Sequence, residues 1–265
     1  MWLDHWKLSA DPFSGKSPVY VSTPGHDEAV ARLSALIESA QRLAVVRGGP
    51  GTGKSLVVLR ALAETRGVGR RTARVVAPLD GPTLWASFAV ALGRRGIAPP
   101  GRAQAWRALA DAVRVCHWEG VQPVLVVDGA DELLQGPARR DLERLTHLGA
   151  GTGGSLTVIH VVDAEPGAEE PEGSCGHWPV SIRLGPLTRS ESDRYVSTKL
   201  GHARRDEPAF TPRALSRLHA LTGGVPRGLD RLATLGLMAG ALRRLELVTP
   251  DVVDGVSREL EGFAA

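Results

Sequence analysis

Gly48-Gly49-Pro50-Gly51-Thr52-Gly53-Lys54-Ser55 fits the phosphate-loop pattern G-x-x-x-x-G-K-[ST]. Each position in such a loop has a physical task. The glycines let consecutive backbone N–H groups converge on an anion. Lys54 reaches toward the β- and γ-phosphates, and the Ser55 hydroxyl is offered to Mg2+. The helix that begins here adds the positive end of its dipole. The expected nucleotide contacts are therefore Gly48, Gly49, Pro50, Gly51, Thr52, Gly53, Lys54, Ser55 and the following Leu56. The chain has four lysines against 28 arginines, and one of the four stands where the motif requires it.

The flanks have the order the motif needs. Leu43-Ala44-Val45-Val46 reads as a buried strand, and Leu56 to Glu64 as a helix. Further strand-like runs are Ala73 to Val76, Val124 to Val127, Leu156 to Val162 and Val180 to Leu184. Helical stretches lie between them, near 28–39, 84–92, 104–117 and 138–148. This alternation predicts a doubly wound α/β fold with a parallel five-stranded sheet. Ligand is expected at the carboxyl ends of the strands, where the phosphate loop sits. After Leu184 the strand signal stops, and 188–200, 212–222, 226–243 and 250–261 read as helices. Thr188, Thr211 and Thr249 precede helix formers, and Pro212 and Pro250 suit a first helical turn. The predicted organisation is a nucleotide-binding core over 1–185 and a small α-helical lid over 186–265, with the boundary at Gly185-Pro186.

Composition narrows the setting. The hydrophobic fraction of 43% is ordinary for a globular protein. No apolar run reaches the roughly 18 residues of a membrane helix. The opening Met1-Trp2-Leu3-Asp4-His5-Trp6-Lys7 lacks the order of a signal peptide. A cytoplasmic location is the expectation. Cys116 and Cys175 form no metal spacing and read as reduced thiols. The acidic stretch Glu165 to Gly173 reads as a solvated linker. The net charge of +3 permits a DNA partner. No dense Lys/Arg run with interleaved aromatics argues for one.

Two further sites complete the chemistry. Val124-Leu125-Val126-Val127-Asp128 is an apolar strand ending in an acid, and Asp128 with Ser55 is the expected Mg2+ pair. Gly129 occupies the position where such ATPases carry a water-orienting Glu. Asp131 and Glu132 follow closely, and either orients the attacking water or both cap the next helix. In Thr222-Gly223-Gly224-Val225-Pro226-Arg227, a cation in a first helical turn opposes the dipole. That cost points to a partner for Arg227, and a γ-phosphate suits a guanidinium.

With these residues assembled, the chain resembles the ExeA/GspA-type AAA+ ATPases of the general (type II) secretion pathway, which are related to TniB-like transposition ATPases. His5-Trp6-Lys7-Leu8 with Asp11-Pro12-Phe13 resembles the opening H-F-G-L…P-F element of that family. Val19-Tyr20, His26-Asp27-Glu28-Ala29 and Arg32-Leu33 resemble its Y-x-S-x-x-H-x-E-A-x-x-R-L element. Gly223-Gly224-Val225-Pro226-Arg227 matches G-G-V-P-R, in which the Arg is the sensor of the γ-phosphate. The resemblance implies an AAA+ fold, ATP and Mg2+ as ligands, and catalytic roles for Lys54, Asp131 or Glu132, and Arg227. It also implies a polar sensor after the fourth strand, for which Asp163 and His160 are the candidates. A homo-oligomer is implied as well, with a neighbour's arginine completing the site and Arg139, Arg140 and Arg144 as candidates. The partner would be a secretion- or pilus-type assembly. Asp128-Gly129-Ala130-Asp131 departs from the family's D-E-A-H or D-E-A-Q and looks like the NACHT signalling ATPases. A nucleotide switch with little turnover, or a DNA-binding transposition helper, are the alternatives.

Overall fold

Runs rich in Val, Ile and Leu alternate with amphipathic stretches, and the chain folds as that alternation dictates. The computed structural model describes residues 2–15, 19–67, 69–77, 80–94, 101–135, 138–148, 155–164 and 180–262. The expectations for residues 165–173 and Cys175 lie outside these. In chain order the elements are α1 (Trp2–His5), α2 (Pro24–Glu38), β1 (Leu43–Gly48), α3 (Lys54–Glu64), β2 (Arg70–Val76), α4 (Gly81–Ala91) and α5 (Arg102–Trp118). They continue with β3 (Gln122–Asp128), α6 (Asp131–Gln135), α7 (Arg139–Leu148), β4 (Thr157–Asp163) and β5 (Val180–Leu184). The last four are α8 (Arg189–His202), α9 (Pro212–Thr222), α10 (Pro226–Leu242) and α11 (Pro250–Gly262).

Contacts divide the chain into two units. The α/β unit comprises Gly25–Pro50 and Lys54–Leu184. Its five strands run in the order β2-β3-β4-β1-β5, all parallel. Ala73, Val75, Leu125, Val127, Val158 and Val162 form one core with residues of α4, α5 and α7. The alternate residues Val124, Val126 and Ile159 are fully buried too, so the central strands are covered on both faces. After β1 the chain crosses to β2 on one side, and after β4 it crosses to β5 on the other. The carboxyl ends of β1 and β4 are thus the topological switch point, where Gly48 pairs in register with Asp163.

The helical unit comprises Met1–Pro24, Gly51–Gly53 and Gly185–Ala265. This differs from the expected division at residue 185, and the reason is apolar burial. Trp6, Leu8, Phe13 and Val21 share one core with Tyr195, Leu229, Leu237 and Val252. Trp6 Nε1 also donates to the Leu237 carbonyl at 2.8 Å. Caps fix the helix starts. Thr188 and Glu191 form a reciprocal capping box at α8, and Thr211 Oγ1 accepts from the Ala214 N–H at 3.1 Å at α9. Gly223 ends α9 in the left-handed conformation, φ 58°. α8 and α10 are joined by Lys199 and Tyr195, which both bond the Asp230 carboxylate. Burial raises the Asp230 carboxyl above its usual range, and the Lys199 charge opposes that shift.

Candidate nucleotide-binding site

The phosphate loop spans the gap between β1 and α3. Gly51 and Gly53 adopt φ 82° and 97°, values that a side chain strains. Lys54, only 7% exposed, folds back over the loop. Its Nζ donates to the Gly48 carbonyl at 2.9 Å, the Gly49 carbonyl at 2.8 Å and Asp163 Oδ1 at 2.5 Å. Three acceptors thus gather around the ammonium at the switch point, where a phosphate anion would offer stronger ones. Of the two sensor candidates, Asp163 is the one bonded to Lys54. His160 is buried within β4, and burial with the nearby Arg47 charge holds its imidazole neutral down to about 4.

The metal pair expected from sequence meets in the structure. Ser55 Oγ donates to Asp128 Oδ1 at 3.0 Å. Two adjacent hard oxygen donors at the end of a buried strand suit Mg2+. Arg74, which sequence reasoning missed, donates to the other oxygen, Oδ2, through Nε at 3.1 Å and through Nη2. Its visibility depends on β2 lying beside β3, which no local pattern reveals.

Gly129 turns the chain sharply at φ 79°. The Gly129 and Ala130 N–H groups both donate to the Val161 carbonyl, at 3.1 and 2.8 Å. Asp131 opens α6, and its Oδ1 accepts from the Asp163 N–H at 2.6 Å. The first acid after the turn is therefore tied to the strand end that also holds Lys54. Glu132 is the second residue of α6, and its side chain lies outside the described residues.

Arg227 belongs to the helical unit, one residue after the Pro226 that opens α10. Its backbone N–H donates to the Gly51 carbonyl at 3.2 Å. A side chain at Gly51 would meet Arg227 Cβ at 2.7 Å. The Arg227 guanidinium is exposed and has no hydrogen-bond or ion-pair partner among the described residues.

A family model described as AAA domain matches residues 37–165. This stretch is similar to the AAA domain. Within it lie Lys54, Ser55, Arg74, Asp128, Asp131 and Asp163, whereas Arg227 lies beyond it. General secretion pathway protein A of Aeromonas hydrophila is 26% identical over 270 residues, which cover 99% of this chain and 49% of that protein. The chain therefore spans about half the length of this curated relative. Among solved structures, Drosophila ORC bound to DNA is similar with a TM-score of 0.74 at 16% identity, over 95% of this chain and 64% of that one. Aeropyrum pernix ORC1 in complex with DNA gives 0.72 at 20%, over 97% and 69%. The Thermotoga maritima RuvB branch migration motor gives 0.56 at 14%, over 89% and 69%. These likenesses show the fold alone, that of the AAA+ P-loop NTPases. Among the described residues, no helix is long and apolar enough to cross a membrane.

Proposed function

We propose that the AAA domain binds MgATP and hydrolyses it, and that the helical unit passes the change to a partner assembly of the secretion-related kind. The observation that carries this reading is the meeting of Lys54 and Asp163 at the switch point, beside the Ser55–Asp128 pair. Loop N–H groups and Lys54 bind the phosphates. Ser55 and Asp128 would hold Mg2+, which would supply charge neutralisation to the phosphates. Asp131, or Glu132 beside it, orients a water. The water oxygen bonds to the γ-phosphorus as the bond to the bridging oxygen breaks, leaving ADP, phosphate and a proton that the carboxylate accepts. Arg227, whose guanidinium has no partner among the described residues, acts as the sensor of the γ-phosphate. A homo-oligomer with an arginine supplied in trans completes the proposal. ATP turnover of the purified chain against Lys54→Ala tests it, and equal rates sink the enzymatic reading.

Gly129 favours a second reading. Its left-handed turn takes the position where an activating Glu would stand, as suits a switch that holds nucleotide with little turnover. Tight ATP binding without phosphate release decides for the switch.

A further inference from the structure

Both carboxylate oxygens of Asp128 are engaged, and only one partner belongs to the phosphate loop. Ser55 takes Oδ1, and Arg74 takes Oδ2 with two of its nitrogens. In the β2–β3 register, Arg74 stands opposite Val126, and Asp128 stands opposite Val76. The Arg74 backbone is thus two residues short of the carboxylate, about 7 Å along the strand. Its side chain leans over that distance instead of extending from the sheet edge into water. Asp128 keeps 10% of its side-chain surface exposed and Arg74 keeps 34%. A carboxylate this covered needs a countercharge. Lys54 does not supply it, because Lys54 bonds Asp163 and two loop carbonyls.

We propose that Arg74 is the resident counter-ion of Asp128, and that a divalent cation and the guanidinium exchange on Oδ2. The inference rests on the nucleotide-binding reading above. Arg74 is a positioning residue: it balances the Asp128 charge and keeps the carboxylate aimed at Ser55 until the cation arrives. It then swings to the open side of β2, where Thr72 and Val76 are exposed. Guanidinium and cation compete for the same lone pairs, so the charge of Arg74 sets how much Mg2+ is needed. Lysine at this position keeps the competitor; glutamine or methionine removes it.

The test titrates fluorescent ADP into the full chain across a series of Mg2+ concentrations, with EDTA as the baseline. Wild type is compared with Arg74→Gln, Arg74→Met and Arg74→Lys. The half-saturating Mg2+ concentration is expected to fall by about three- to tenfold in the Gln and Met variants and to stay within about twofold in the Lys variant. An unchanged or raised value in folded Gln and Met variants overturns the exchange while leaving nucleotide binding standing. ADP that fails to bind wild type at any Mg2+ concentration overturns the nucleotide reading, and this inference with it. A second measurement needs only folded wild type. The Arg74 Nε–H resonance, assigned through Arg74→Lys, is expected to move when Mg2+ is added to the ADP-bound chain. A resonance that stays in place overturns the exchange.

Discussion

Lys54 and Asp163 meet where β1 and β4 part: Nζ lies 2.5 Å from Oδ1, on the residue that pairs in register with Gly48. The ammonium is buried and the carboxylate half-exposed, so a phosphate entering from solvent competes directly with Asp163. Lys54→Ala is expected to weaken ADP binding by about 100-fold, roughly 3 kcal/mol. Asp163→Asn removes the competing charge and is expected to tighten ADP binding by about two- to fivefold. Titration with fluorescent ADP reads both, and an Asn variant that binds more weakly contradicts the competition.

Adjacent glycines before α10 make a second prediction. Gly223 has φ 58° with open space around it, whereas Gly224 has φ 74° and would place a Cβ 2.1 Å from the Leu187 carbonyl. Gly223→Ala is expected to cost about 1 kcal/mol through backbone strain alone. Gly224→Ala adds a clash with backbone that cannot turn aside, because the Leu187 N–H donates to the Gly224 carbonyl at 2.9 Å. Its cost is expected to exceed about 3 kcal/mol. Urea denaturation followed by the helical signal ranks the two, and equal midpoints contradict the geometry.

Asp131 separates catalysis from capping. One of its oxygens is tied to the Asp163 N–H, which leaves the other for a water. Asp131→Asn keeps the side chain's shape and is expected to lower kcat by about 10- to 100-fold while ADP affinity holds within about twofold. Turnover that survives in Asn assigns Asp131 to anchoring α6 and turns attention to Glu132.

His160 predicts a pH dependence of stability. Its pKa falls from 6.5 to about 4 in the folded chain, first through burial and then through the Arg47 charge. Between those values the unfolded chain binds a proton that the folded chain refuses. The stability contribution is therefore full above the unfolded pKa and is lost as pH falls through the window, by up to about 3 kcal/mol. His160→Leu is expected to flatten this dependence between about pH 7 and pH 4.5. Denaturant midpoints check it, and parallel curves for the two proteins count against the assignment.

Strand and helix positions were legible because burial imposes period and composition on local sequence. The expected α9 over 212–222 matches because Thr211 and Pro212 mark its start in the sequence. β2 begins earlier than its apolar run, at Arg70, because Gln122 and Glu119 supply partners for Arg70 and Arg71 on an edge strand. α1 and α6 are too short to carry a periodic signal. In the site, Lys54, Ser55 and Asp128 follow from motif and strand end. Arg74 acts only through a neighbouring strand, and strand order is a long-range property. The same holds for Trp6, whose burial depends on residues more than two hundred positions away.

That separation has a consequence for how the chain is made. Trp6, Phe13 and Val21 leave the ribosome well before their partners on α8, α10 and α11. Vectorial synthesis lets the α/β unit fold while the N-terminal aromatics wait unpaired, open to chaperones and to other nascent chains.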